Sequence, residues 1–225
     1  EDPWQVTVPT YRPDVTRPAD LVEEIARLHG YDEFPSRLPK GVGEGLPVWE
    51  RRRRLVRRAL VGAGCFEVLN FSFQGPEEIA ALGLPDDDPR RALVKVRNPL
   101  SEEQSCLRTS LIPGLLAALR TNAARGRTEV ALFEMGRVFF PSPGDLPEQP
   151  RRVAFAATGR GAGGRAGAAG EERDARDAVG LWEALAAALG VESRIEQAEA
   201  APFHPGRCGR VVAGGLTLGF VGELH

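Results

Sequence analysis

From Trp4 to Val8 apolar and polar side chains alternate, the period of a half-buried strand, and Pro9 and Pro13 end the run. The period then becomes helical. Between Pro18 and Leu28, Leu21, Val22, Ile25 and Leu28 fall on one side at about 100° per residue, and Asp20, Glu23 and Glu24 fall on the other. Pro18 suits a first helical turn, and Gly30 suits the left-handed position just past the end. Tyr31 to Leu46 is rich in Pro and Gly and reads as a linker. A second helix is predicted from Trp49 to Ala63, stopped by Gly64, with Leu55, Val56, Ala59 and Leu60 as its apolar stripe.

Beyond it, Phe66 to Phe73 reads as one strand, Pro76 to Leu82 as a short helix and Ala92 to Val96 as a short strand. Leu111 to Ala124 is predicted helical, with Pro113 in the first turn and Gly126 after the end. Glu129 to Phe133 and Arg137 to Phe140 read as two paired strands turning at Met135-Gly136. Val153 to Thr158 is a further strand, and Ala178 to Leu189 a helix closed by Gly190. Gly209 to Ala213 and Leu216 to Val221 form a hairpin through Gly214-Gly215. Hairpin-linked strands with interspersed helices predict a mostly antiparallel α+β domain. The composition shift divides the chain into a small unit, 1–40, and a larger one, 41–225. Glu1 at the start, and a strand-like run reaching His225, read as a piece cut from a longer protein.

With 225 residues, 42% of them hydrophobic, the chain can bury a core without staples, so wholesale disorder is excluded. A formal charge of −2 argues against a free-standing non-specific nucleic-acid binder, though not against a local basic patch. Cys65, Cys106 and Cys208 lie far apart and no C-x-x-C occurs, which predicts reduced thiols in a cytoplasmic protein. No apolar run approaches a membrane span.

Four acids, Asp14, Asp20, Glu23 and Glu24, form the first candidate site. Read alone they are either a solvated face favoured by the helix dipole or a hard-cation site, since a divalent ion relieves carboxylate repulsion. The Arg51–Arg54 run with Arg57 and Arg58 is the second, as a solvated or interface face or a phosphate contact. Aromatic residues do not alternate with these arginines, which argues against base stacking. Gly159 to Gly164 matches G-x-G-x-x-G, but no helix opens at the glycines as a dinucleotide site requires, and Arg160 to Gly170 reads as a loop. His29, His204 and His225 form no H-x-x-x-H, and no hydrolase constellation is present, so no catalytic residue is assigned.

Longer motifs carry a resemblance. Val8-Pro9-Thr10-Tyr11-Arg12-Pro13-Asp14-Val15 and Asp20 to Asp32 resemble the bacterial phenylalanine–tRNA ligase beta-subunit family. So, in the same order, do Asn98-Pro99-Leu100-Ser101, Leu107 to Leu116, Leu132 to Phe139, Phe203-His204-Pro205-Gly206-Arg207 and Val221 to His225. The match runs nearly the whole length. It implies the end of a winged-helix-like module over 1–40. Over 41–225 it implies a catalytically inactive class II synthetase-like domain, an antiparallel sheet flanked by helices.

The resemblance further implies an α2β2 heterotetramer whose alpha subunit activates phenylalanine with ATP and transfers it to tRNA(Phe). ATP is then used by that subunit and not bound here. In the family the positions matching Asp14, Asp20, Glu23 and Glu24 bind a Mg²⁺ shared with the alpha subunit. Class II sites hold phosphate and carboxylate with an arginine on the second signature strand. Gly136 to Phe140 resembles that strand, but Phe140 stands where the arginine is expected, and a phenyl ring offers no bidentate fork. The Gly-rich third signature ending in arginine is not found in these 225 residues. The helix Trp49–Ala63 resembles the first signature, which places Leu55, Val56, Ala59 and Leu60 at a subunit interface. Gly163 to Arg176 departs from the family, which carries bulky aromatic and acidic residues there. The competing reading is an independent RNA-binding module using the Arg51–Arg58 helix, and Phe140 argues against a self-sufficient ligase.

Overall fold

The computed structural model describes residues 3–38, 41, 43, 45–161 and 170–225. The chain divides into two compact units, Glu1–Gly45 and Leu46–His225. In the first, the predicted helix forms as α1, Pro18–His29, and Gly30 follows at φ 103°. The expected strand over Trp4–Val8 does not form, because nothing in this short unit supplies it with a pairing edge. Val22, Ile25 and Leu28 of α1 stay exposed for want of a facing layer.

The second unit opens with α2, Val48–Gly62, whose backbone runs through Ala63 into Gly64 at φ 88°. The apolar Phe66–Phe73 run is not one strand. β1, Phe66–Glu67, and β2, Phe73–Gln74, belong to different sheets, and the intervening residues form a connection. α3 covers Pro76–Ala80, β3 Val94–Lys95, β4 Cys106–Leu107 and α4 Ile112–Ala123. The expected turn at Met135-Gly136 is also absent. β5 runs straight through Val130–Arg137 and pairs antiparallel with β6, Arg151–Thr158, with Met135 opposite Val153. A glycine that reads as a turn here serves close packing within a strand.

α5, Ala175–Leu189, starts at an Asp174 cap whose Oδ1 accepts the Arg176 N–H at 2.7 Å, and ends at Gly190 in the left-handed conformation. β7, Arg194–Gln197, then joins the predicted hairpin, β8 Phe203–Ala213 and β9 Leu216–Leu224, with Gly214 and Gly215 both at positive φ. Among the described residues three three-stranded sheets result, ordered β1-β5-β6, β2-β4-β3 and β7-β8-β9, and only β1 and β5 pair in parallel.

The main core sits between α2, α5 and the β5 sheet, where Leu60, Cys65, Ala131, Phe133 and Leu181 are buried together and Val56, Met135 and Phe155 close the rim. A second cluster, Ile79, Leu82 and Leu84, packs against Leu93, Ile112 and Leu116. All three cysteines are buried and free, and burial raises the Cys65 and Cys208 thiols. Among the described residues no helix is long and apolar enough to cross a membrane.

Candidate functional site

The four acids of the first unit do not converge. Arg12 lies two residues before Asp14 and takes it in a fork, Nε to Oδ1 at 3.0 Å and Nη2 to Oδ2 at 2.6 Å. The same Nη2 donates to Glu24 Oε1 at 2.7 Å, and Arg27 holds Glu24 Oε2 at 2.7 Å. Arg12 first, then Arg27, lowers the Glu24 carboxyl from the usual 4.5 to about 2. Arg12 likewise lowers Asp14. Asp20 turns toward the helix start, its Oδ2 accepting the N–H groups of Thr16 at 2.8 Å and Arg17 at 2.7 Å, which lowers it too. Glu23 is exposed.

Among the described residues no three metal-binding side chains gather in one place. The helix face was legible in the spacing, but the direction of each carboxylate is set by the nearest N–H or guanidinium. The signals for that were Arg12 beside Asp14 and the two free amides ahead of Pro18.

The α2 stripe expected at a subunit interface is shared with the chain's own core. Leu60 is fully buried in the chain's own core and Val56 packs against it, while Ala59 is half-buried. A helix has one apolar stripe, and the sheet of the same chain covers this one first. Of the four predicted contact residues Leu55 alone stays exposed. Just after α2, Phe66, Leu69, Phe71 and Phe73 are exposed as well. On the polar side of α2, Glu50 holds Arg53 and Arg54 loosely at 3.3 and 3.4 Å, and Arg57 pairs with Glu67, Nη2 to Oε1 at 2.8 Å. Arg51, Arg52 and Arg58 make no ion pair among the described residues. Trp49 is covered by the Arg151 guanidinium, 4.4 Å from the ring centroid.

A buried polar group escaped sequence reasoning. Phe133 and Glu134 point to opposite faces of β5, Phe133 into the apolar core and Glu134 toward Arg108, and both acid and guanidinium are nearly inaccessible. Arg108 Nη1 donates to Glu134 Oε1 at 2.6 Å, and Asn70 Nδ2 donates to Oε2 at 2.7 Å. Arg108 Nε donates to the Arg137 carbonyl at 2.9 Å. Gly136 is required here, because a Cβ would overlap the Arg108 guanidinium. The only hint in the sequence was Glu134 inside an otherwise apolar run.

Beyond β5, Phe140 bridges Glu148 through backbone bonds of 3.0 and 2.9 Å and presents only its ring. A groove of about 350 Å³ between α4, β6, α5 and the ends of β8 and β9 is mainly apolar, lined by residues such as Leu116, Phe155 and Leu224. Among the described residues Arg173 is the one cation on its wall, beside Asp174, Asp177 and Glu223. One guanidinium among three carboxylates suits no polyphosphate. In the G-x-G-x-x-G stretch, Gly159 to Gly161 is not helical, and Ala162 to Gly164 lies outside the described residues. The 160–170 loop likewise lies largely outside them. His204 Nδ1 accepts the Gly206 N–H at 3.1 Å and His29 packs edge-on against Phe34, so neither faces a nucleophile.

The architecture is that of class II tRNA synthetases. The fold superimposes on pyrrolysyl-tRNA synthetase of Desulfitobacterium hafniense with a TM-score of 0.54 at 16% identity, covering 89% of this chain and 61% of that one. The family within that class follows from the sequence comparison. The model for the phenylalanyl tRNA synthetase beta chain CLM domain matches residues 34–225, and that for the tRNA synthetase B5 domain matches residues 1–31. The chain belongs to the phenylalanyl-tRNA synthetase beta chain family. It is similar to the phenylalanine–tRNA ligase beta subunits of Streptomyces avermitilis, 44% identical over 255 residues, and Moorella thermoacetica, 44% over 229 residues. In both cases all of this chain is covered, but it spans only 30% and 28% of the relative's length.

Proposed function

We propose that this chain is a non-catalytic portion of a phenylalanine–tRNA ligase beta subunit. It works by assembling with the alpha subunit into a cytoplasmic α2β2 enzyme that attaches phenylalanine to tRNA(Phe) at the expense of ATP. The observation that carries this is Phe140. At the position that matches the class II arginine for phosphate and carboxylate, just beyond β5, this chain carries a phenyl ring. Among the described residues, the groove beside β6 carries more carboxylates than cations, which supports the same reading.

A Mg²⁺ shared with the alpha subunit is part of the same proposal, with Asp14, Asp20, Glu23 and Glu24 as its acids. The fit is supported by Asp14 and Glu24, whose oxygens already converge on one positive nitrogen, Arg12 Nη2. Asp20 holds the start of α1 and would act through water, and Glu23 is free to turn to a partner. A hard cation held there would relieve the repulsion among these carboxylates. In the assembled enzyme, Glu23→Gln and Asp20→Asn should lower the alpha–beta association constant and its Mg²⁺ dependence. Unchanged values would leave the acids an ordinary solvated face.

Arg51, Arg52 and Arg58 on α2, without ion pairs among the described residues, support a second reading as an independent RNA-binding surface. The two readings separate in one experiment. The full-length chain alone, then with the alpha subunit, is assayed for phenylalanine-dependent pyrophosphate exchange and for tRNA binding across a salt series. Exchange and tRNA binding only after the alpha subunit is added are expected. Exchange by the chain alone would overturn the non-catalytic reading, and steep salt-dependent tRNA binding by the chain alone would favour the RNA module.

A further inference from the structure

The core face of β5 and β6 changes character toward one end. Its opposed pairs run Phe133–Phe155, Met135–Val153 and Arg137–Arg151. Phe133, Met135 and Phe155 belong to the apolar core and its rim, whereas the last pair sets two exposed arginines directly opposite each other. α2 repeats the change. Trp49, Arg52 and Val56 fall on one row of the helix at i, i+3 and i+7, and Val56 packs against the same core. The two rows meet where the Arg151 guanidinium lies over the Trp49 ring.

Among the described residues none of these three arginines has a carboxylate partner. The acids near α2 are taken by Arg53, Arg54 and Arg57. Arg137 Nη1 donates to the Gln149 carbonyl at 3.3 Å, and Arg151 has the indole. Like charges directly opposite on neighbouring strands destabilise a sheet, so this end of the domain holds positive charge that its own folding does not call for. Trp49 stays 52% exposed beside it. No aromatic residue alternates with the α2 arginines in sequence, yet the fold brings an aromatic ring and a guanidinium together from α2 and β6.

We propose that Trp49, Arg52, Arg137 and Arg151 form a contact surface for RNA, with the arginines on phosphates and the exposed Trp49 ring under a base. An indole among unpaired guanidinium groups matches both parts of a nucleotide. An acidic peptide would satisfy the charges and leave the ring unused. None of the four residues lines the groove beside β6, and an open surface encloses little of a free nucleotide, whereas a polymer gains from successive phosphates along it. Since the chain carries a formal charge of −2, the patch is one contact among several and no free-standing binder. The inference rests on the reading of this chain as part of a tRNA-charging enzyme and names the surface that meets the tRNA.

The test measures tRNA(Phe) binding by the full-length chain assembled with the alpha subunit, across a salt series. Arg137→Gln with Arg151→Gln removes two phosphate contacts, so the slope of log affinity against log salt should become shallower by about 1.5. The melting temperature should hold, because the variant removes two opposed like charges. Trp49→Leu should weaken binding ~10-fold at an unchanged slope, and Trp49→Phe should keep most of the affinity, because the stack needs a ring. Unchanged affinity and slope in Arg137→Gln/Arg151→Gln would overturn the phosphate contact. Equal losses in Trp49→Leu and Trp49→Phe, or none in either, would overturn the base contact. Weaker association with the alpha subunit, at unchanged tRNA binding by the assembled enzyme, would reassign the patch to an acidic protein surface. If the parent forms no mixed complex, the assembly reading fails, and the same series on the full-length chain alone decides the inference. A shallower slope in Arg137→Gln/Arg151→Gln sustains it there, and an unchanged slope overturns it.

Discussion

Arg108→Met keeps the length and most of the volume of the buried side chain and removes its charge. Glu134 is 1% exposed and would retain a single protein partner, the Asn70 amide. The Arg137 carbonyl would also lose its donor. Removing one member of a buried, hydrogen-bonded ion pair costs about 3–5 kcal/mol, most of it the burden of the stranded charge. For a chain of this size each kcal/mol moves the melting temperature by about 2–4 °C, so a fall of about 6–20 °C follows. Urea unfolding followed by circular dichroism gives the free energy, and a thermal scan gives the temperature. Adding Glu134→Leu should recover most of the loss, since an apolar replacement of both partners is often neutral. A loss below about 1 kcal/mol in Arg108→Met, or no recovery in the double variant, would refute the claim that Glu134 is held as a buried carboxylate by Arg108.

Two further outcomes follow from the geometry. Gly159 sits at φ 77°, and an added Cβ would lie 2.5 Å from the Thr128 carbonyl, so Gly159→Ala should destabilise by about 1–3 kcal/mol in the same unfolding assay. The Glu24 carboxyl should titrate near 2 by NMR; because its folded value is depressed, its stabilising contribution is present above the ordinary 4.5 and is lost as pH falls toward 2, and Arg12→Gln should move the midpoint up toward 4.5.

Helices were largely legible because their punctuation is local. Pro18 and Gly30 bracket α1, and Gly64 and Gly190 follow α2 and α5 closely. The β8–β9 hairpin was legible for the same reason at Gly214-Gly215. Strand partners were not, because pairing is decided by distant chain. Phe66–Phe73 looks continuous in sequence, yet its two ends are claimed by β5 and by β4, far along the chain. Gly136 looks like a turn until Arg108, brought from another element, explains why it is bare.

The same divide runs through the site residues. The acidic face of α1 could be read from its period, whereas Arg12, which orients Asp14 and Glu24, acts through space. The α2 stripe was correctly apolar, but period alone does not say which part a chain's own core covers: Leu60 and Val56 are taken up by it, and Leu55 stays exposed.

Assembly is tested most directly by native mass spectrometry of the full-length chain co-expressed with a phenylalanine–tRNA ligase alpha subunit. A species with two copies of each chain is predicted, with pyrophosphate exchange confined to it. Separate chains with no mixed species, or exchange by the full-length chain alone, would contradict a non-catalytic assembly role.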